Sequence, residues 1–248
     1  MKIHSYEDSI RARACVSLIR NCEDFGKYEE IIILPIPTSR DGVTVTGSGE
    51  RLSDVLGGAG ENTLVVAYEL PSEVREELTG RSVGVLDIGY DEEFLRANGE
   101  LTAEAVLGVL LTTEHRAPRD LSVGVVGYGR IGRRITGLLL YLGADVRVYT
   151  SRDGVRLELC EYGVASRMSL SDADLTGLDI LINTAPARIF DLGDGGRLPG
   201  LRIIDLASGD NFGDGVKVEK YPSIPAKMFP YSAGRIWHEA IVRFLQKG

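Results

Sequence analysis

No stretch of this 248-residue chain comes near the ~18 consecutive apolar residues that a membrane-spanning helix needs. Residues Met1 to Arg20 are broken by charge and lack the apolar centre of a secretion signal. Cysteine is scarce: Cys15, Cys22 and Cys160 are odd in number and show no Cys-x-x-Cys spacing. Free thiols in a reducing cytoplasm are therefore expected, not a disulfide framework. Histidine is equally scarce, and His4, His115 and His238 are scattered, so no metal site is expected. No run of Lys or Arg stands out, and 28 basic against 36 acidic residues leave a formal net charge of −8. That balance argues against nucleic acid or an anionic membrane as the main partner. An anionic small molecule needs only one local arginine cluster.

What is present is apolar residues, 44% of the chain, enough for one large or two small domains. Short apolar runs at Ile31–Ile36, Thr63–Tyr68 and Val83–Ile88 alternate with helix-like stretches at Arg51–Leu56 and Pro71–Leu78. Such alternation predicts an α/β fold with a parallel sheet. A helix is expected from Leu101 to Glu114, with Thr102 as N-cap and Glu104 in its first turn. Strands then follow at Ser122–Val126, Asp145–Tyr149, Asp179–Ile182 and Arg202–Leu206, and helices at Ile131–Leu142, Leu157–Tyr162 and Ser232–Gln246. The expected organisation is a small N-terminal α/β lobe over 1–98, a Rossmann-type doubly wound domain over 99–231, and a C-terminal helix over 232–248 packing back toward the first lobe.

The chemistry-bearing segment is Val123-Gly-Val-Val-Gly127-Tyr128-Gly129-Arg130-Ile131-Gly132. A Gly-x-Gly-x-x-Gly alone says little. Set between a strand and a helix, with a second strand following, it predicts dinucleotide binding. Gly127 permits the tight turn, Gly129 lets a pyrophosphate approach the backbone, and Gly132 lets helix and strand pack closely. The helix N-terminus offers N–H groups and partial positive charge to the phosphates. At the end of the next strand, where an NAD site carries an acid for the ribose, stand Thr150, Ser151 and Arg152. A guanidinium beside hydroxyls suits a 2′-phosphate, so NADP(H) is expected in preference to NAD(H).

Five motifs, in order, resemble the A subunit of dipicolinate synthase, most clearly over residues 98–248. They are Asn98-x-x-x-Thr102-x-Glu104, Gly127–Gly132 with Leu142–Val146, Asn183-Thr-Ala-Pro-Ala187, Ile204-Asp-Leu-Ala-Ser208 and Pro230-Tyr-Ser-Ala-Gly234. The resemblance implies a redox step on a dihydrodipicolinate-type dicarboxylate, using a nicotinamide cofactor, in making dipicolinate, the spore calcium chelator. It also implies a partner, a flavoprotein-like B subunit; further copies of the chain are the other protein partner to consider. By this likeness Asn98, Glu104, Ser208 and Tyr231 are candidate catalytic residues, and Asn183, Thr184, Ala185 and Pro186 join the cofactor set. The chain departs from the family in three places. It opens on Met1-Lys-Ile-His-Ser5 and is expected to lack much of the family's first strand and Gly-rich turn. Gly209-Asp-Asn-Phe212 replaces Pro-Gly-Gly in a shortened segment, and Tyr231 replaces a Lys.

Other readings of the same residues stay open. Asn98 and Glu104 are equally read as helix-capping groups, and Asn183-Thr184 as turn chemistry before Pro186. In function, a non-catalytic cofactor- or partner-binding homologue and a 2-hydroxyacid-type dehydrogenase are the alternatives. The second needs an Arg where Ala207-Ser208-Gly209 stands and a His where Tyr231 stands.

Overall fold

The computed structural model describes residues 1–22, 24–167, 175–186, 200–213 and 216–247. The chain opens with strand β1 (Lys2–Ser5), helix α1 (Ile10–Ile19), β2 (Glu30–Ile33), α2 (Leu52–Leu56), β3 (Thr63–Ala67), α3 (Ser72–Gly80) and β4 (Gly84–Asp87). The four strands pair in the order β1-β2-β3-β4, all parallel. Every residue of β3 is buried, as the continuous apolar run demands of a parallel strand covered on both faces. Alternation sends Ile31, Ile33, Leu64 and Val66 to one face and Ile32, Leu34, Val65 and Ala67 to the other.

The first strand and helix correct the expectation that much of this opening strand and turn is lacking. β1 is an edge strand with one partner, and its residues are mostly exposed. It therefore needs little apolar character, and Lys2-Ile-His-Ser5 shows almost none. The turn after it is built by Glu7 and Ser9 in place of glycines: Ser9 caps α1 through Ala12 N at 3.1 Å. Glu7 binds the buried Arg11 with both carboxylate oxygens at 2.7 Å.

Helix α4 runs from Glu92 to Thr113, which corrects the helix start placed at Leu101 with Thr102 as its cap. Asp91 performs the capping, accepting from Phe94 N at 2.8 Å. Thr102 is a buried residue of the helix interior. Gly99 does not end the helix, because the helix packs there: a Cβ at Gly99 would lie 3.4 Å from Arg130 Cβ.

The second sheet contains β5 (Ser122–Val126), β6 (Asp145–Tyr149), β7 (Ala165–Arg167), β8 (Ile180–Asn183), β9 (Arg202–Asp205) and β10 (Glu219–Lys220), with α5 (Arg130–Tyr141), α6 (Asp153–Glu161) and α7 (Ile224–Met228). All pairings are parallel, and the order is β10-β9-β8-β5-β6-β7. Counted from β5, this is the 3-2-1-4-5-6 order of the doubly wound Rossmann sheet. Its topological switch point falls between β5 and β8, where Val126 pairs with both Tyr149 and Asn183.

Helix α8 (Pro230–Leu245) starts two residues before Ser232, with Pro230 in the first helical turn, where its missing N–H is harmless. By contacts, one compact unit comprises Met1–Asn98 with Phe229–Gly248 and the other Gly99–Met228. In the first unit α8 packs on α1 through Ala233, Trp237, Ala240 and Ile241. The two helices approach so closely at Gly234 that a Cβ there would sit 2.5 Å from Arg11 O and 2.8 Å from Ala14 Cβ. Gly234→Ala is accordingly expected to destabilise this unit by about 1–3 kcal/mol, the usual cost of overpacking, read as a lower midpoint in urea. An unchanged midpoint would show that the helix pair slides apart at no cost.

Candidate functional site

The site is built at the carboxyl ends of β5 and β8. Gly127 leaves β5 at φ +86, a left-handed conformation that glycine adopts without strain, and its N–H donates to Tyr149 O at 2.9 Å. Gly132 lies one turn into α5, and a Cβ there would stand 2.2 Å from Gly127 O. Gly129 forms the N-cap of α5 with no side-chain cap. A Cβ at Gly129 would meet nothing within 4 Å, and the first turn of α5 carries no acid. The result is an open, uncapped helix N-terminus at Gly129, with Thr184 and Ala185 backing the turn behind it. Backbone N–H groups and partial positive charge there fit a pyrophosphate. Arg130 is exposed and Ile131 half-buried at the same turn.

At the end of β6, Thr150 is buried and accepts from Arg152 N at 3.3 Å, while Ser151 and Arg152 are exposed. The Arg152 guanidinium donates to the carbonyl of Tyr128, within the glycine turn. Arg133 lies 5.1 Å over the Tyr128 ring and pairs with Glu158 at 3.2 Å. Partial burial pushes the Tyr128 phenol up from its ordinary value. Asp145 sits at the opposite end of β6, accepting from Ser122 Oγ, and Asp153 pairs with Arg156 at 2.9 Å on α6.

At the end of β8, Asn183 is fully buried, and its side chain is spent inside the protein. Nδ2 donates to Asp205 Oδ1 at 2.7 Å and to Ala185 O at 3.2 Å, and Oδ1 accepts from Ala185 N. Thr184 Oγ1 donates to Val126 O at 2.8 Å and backs the glycine turn, 2.8 Å from where a Gly127 Cβ would be. These two residues thus shape the turn; Ala185 is half-buried against the core beside them and Pro186 is exposed. Ala187, the last residue of that motif, lies outside the described residues.

Two residues of the quoted motifs that were given no role of their own, Asp205 and Asn211, and one outside them, Lys220, organise the end of β9. Asp205 is buried and accepts from Asn183, from Ala207 N at 3.1 Å and from Asn211 Nδ2 at 3.2 Å. Asn211 also donates to Ser208 O, closing the loop that presents Ser208 to solvent. Lys220, the last residue of β10, reaches this loop at Gly209 O (3.4 Å) and Asp210 (3.2 Å). A signal for Asp205 was available, since an acid follows directly on the apolar pair Ile203-Ile204 at the end of the strand; nothing local marked Lys220.

The remaining candidates are placed as follows. Glu104 is exposed on α4, five residues beyond Gly99 and so about 140° round the helix from the contact with α5. Asn98 is half-buried at the end of the first unit's share of α4. Tyr231 is 74% exposed in the first turn of α8, also in the first unit. Among the described residues no group of three or more His, Cys, Asp or Glu is placed to hold a metal, and no helix is long and apolar enough to cross a membrane.

No protein-family model and no curated sequence matches the chain. Solved structures do. The A subunit of dipicolinate synthase from Bacillus halodurans superposes with a TM-score of 0.77 at 20% identity, over 98% of this chain and 96% of that one. Its counterpart from Bacillus subtilis gives 0.76 at 18% identity, over 99% and 95%. An NAD-complexed D-isomer-specific 2-hydroxyacid dehydrogenase from Lactobacillus delbrueckii ssp. bulgaricus gives 0.57 at 11% identity, over 100% and 97%. The chain therefore has, over nearly its whole length, the Rossmann-type fold of the dipicolinate synthase A polypeptide.

Proposed function

We propose that the chain is a nicotinamide-dependent oxidoreductase of the dipicolinate synthase A kind, acting on a small dicarboxylate and preferring NADP(H). The observation that carries this reading is the glycine turn at the switch point. There, Gly127 and Gly132 leave no room for side chains, and Gly129 leaves the uncapped end of α5 open. The likeness in fold to an NAD-complexed dehydrogenase and to dipicolinate synthase A supports it. In this reading Gly127 to Gly132 hold the pyrophosphate, and Thr150, Ser151 and Arg152 meet the adenosine ribose. Asn183 and Thr184 fix the turn, and Ala185, Pro186 and Ser208 border the nicotinamide half. A bound nicotinamide supplies or accepts the hydride. Asn98, Glu104 and Tyr231 are the proposed substrate-side groups, and the proposed partner is a flavoprotein-like polypeptide.

The preference for NADP(H) follows from charge. Asp145 lies at the wrong end of its strand and Asp153 is held by Arg156. Arg152 is pinned over the turn by the Tyr128 carbonyl, so little side-chain freedom is lost when it meets a phosphate. Arg152→Ala is expected to weaken NADPH binding by about tenfold to a hundredfold, from a charge-assisted contact of ~1.5–3 kcal/mol. NADH binding should hardly change, and the difference should shrink as salt rises. Calorimetric titration of both cofactors into both chains tests it. Equal affinities in the parent, or a variant that binds NADPH as before, would end the proposed preference. Cofactor binding without turnover of any dicarboxylate would favour the non-catalytic alternative.

A further inference from the structure

We propose that Lys220 is the cation that holds a carboxylate of the substrate. The proposal rests on the cofactor reading above and extends it to the other ligand. In a sheet of this order the pyrophosphate lies at the switch point, and the adenosine ribose meets the end of the second strand, here β6 with Arg152. The nicotinamide half then lies over the ends of β8 and β9. The substrate must come to it there, with reacting atoms ~3–3.5 Å apart.

A dicarboxylate at that place needs positive charge, best supplied as a charge-assisted hydrogen bond. Among the described residues at these strand ends, 183–186, 205–213 and 220–223, Lys220 is the one cation. Its backbone is level with Asp205 across the β10–β9 pairing, and its Nζ reaches the loop that follows β9. The loop is fixed from below by Asp205 and Asn211, and Gly209, at φ +94, presents the carbonyl that steadies the ammonium. Asp210 holds Lys220 at the surface, at 3.2 Å. Its side chain is 81% exposed and that of Lys220 51% exposed, so this is a screened pair that an incoming carboxylate can replace. The neighbouring acid, Glu219, does not compete, because Arg202 takes both its oxygens and Tyr221 one of them.

The test uses the full chain loaded with NADP⁺ and pyridine-2,6-dicarboxylate as the probe, titrated calorimetrically. Lys220→Ala is expected to weaken the dicarboxylate about tenfold or more, the order of one charge-assisted bond. Lys220→Arg should stay within about threefold of the parent and Asp210→Asn should not weaken binding, since both keep the cation. NADP⁺ affinity and the thermal midpoint should be unchanged in all three, which separates a ligand contact from a structural one. Undiminished dicarboxylate binding by Lys220→Ala would overturn the proposal, as would a parent that binds NADP⁺ but no dicarboxylate. A parent that binds no NADP⁺ would instead overturn the cofactor reading, and this proposal with it.

Discussion

Gly132→Ala is expected to abolish dinucleotide binding, by a hundredfold or more, and to destabilise the second unit. A single methyl group at this position would sit 2.2 Å from Gly127 O, 3.0 Å from Gly127 C and 3.0 Å from Thr184 Oγ1. Two of those three atoms are backbone, so no rotamer change can make room. The helix must retreat from the strand, and the cradle at Gly129 widens with it. A shift of that kind costs about 1–3 kcal/mol in stability and displaces the N–H groups that meet the phosphates. The neighbouring Gly137, on the same helix, is the control. A Cβ there meets nothing, so Gly137→Ala should stabilise the chain by about 0.5–1 kcal/mol from helix propensity alone and bind cofactor normally. Titration of NADPH together with thermal unfolding reads both outcomes. A Gly132→Ala chain that binds as the parent does would show that the turn is not the phosphate site.

Asp205→Ala is expected to cost the second unit about 3 kcal/mol or more. The buried carboxylate is the acceptor for Asn183 Nδ2, Asn211 Nδ2 and the N–H of Ala207. Alanine leaves three donors with one acceptor fewer each, and a buried donor without a partner costs about 1–3 kcal/mol. Asp205→Asn should fall between, since one oxygen remains but an amide N–H₂ then faces other N–H₂ groups. The same changes should loosen residues 206–211, giving faster proteolysis there. Urea unfolding followed by circular dichroism measures the first effect. A loss below ~1 kcal/mol for Asp205→Ala would mean that water or another group takes over the carboxylate's role.

The Rossmann unit was legible in the sequence because its signals are local. Gly127-x-Gly129-x-x-Gly132 follows an apolar strand and opens a helix of 12 residues, and the helices close at Gly143 and Gly163 with positive φ. The uncapped, acid-free first turn of α5 was also a property of consecutive residues. What escaped was non-local. β1 is recognised by its parallel partner β2, with register Ile3↔Ile31, not by its own mostly polar sequence. The start of α4 was misplaced because Thr102 with Glu104 looked like an N-cap and first turn, whereas the helix runs on through Gly99, where it packs against α5. Asn183 looked like a ligand-binding amide at a strand end. Its role is set by Asp205, 22 residues away, which brings the buried pair together only once β8 and β9 align. Lys220 meets the loop after β9 for the same reason, through strand pairing that no spacing rule in the sequence encodes.

The contact between α1 and α8 carries an optical consequence. Trp237 is the one tryptophan of the chain. It is fully buried in the first unit's core, with the Arg11 guanidinium 5.1 Å over its ring. The helices that meet there come from far apart in the chain; the nearby pair Cys22 and His238, 3.2 Å apart in space, is separated by 216 residues. Closing so long a loop is slow and entropically costly compared with forming the continuous second unit. Indole emission therefore reports the joining of these distant segments, while the second unit, which holds no tryptophan, folds without contributing to it. During synthesis Ala12, Cys15 and Ile19 are made roughly two hundred residues before α8 (Pro230–Leu245), their cover, an interval in which a chaperone would find an apolar helix face to hold.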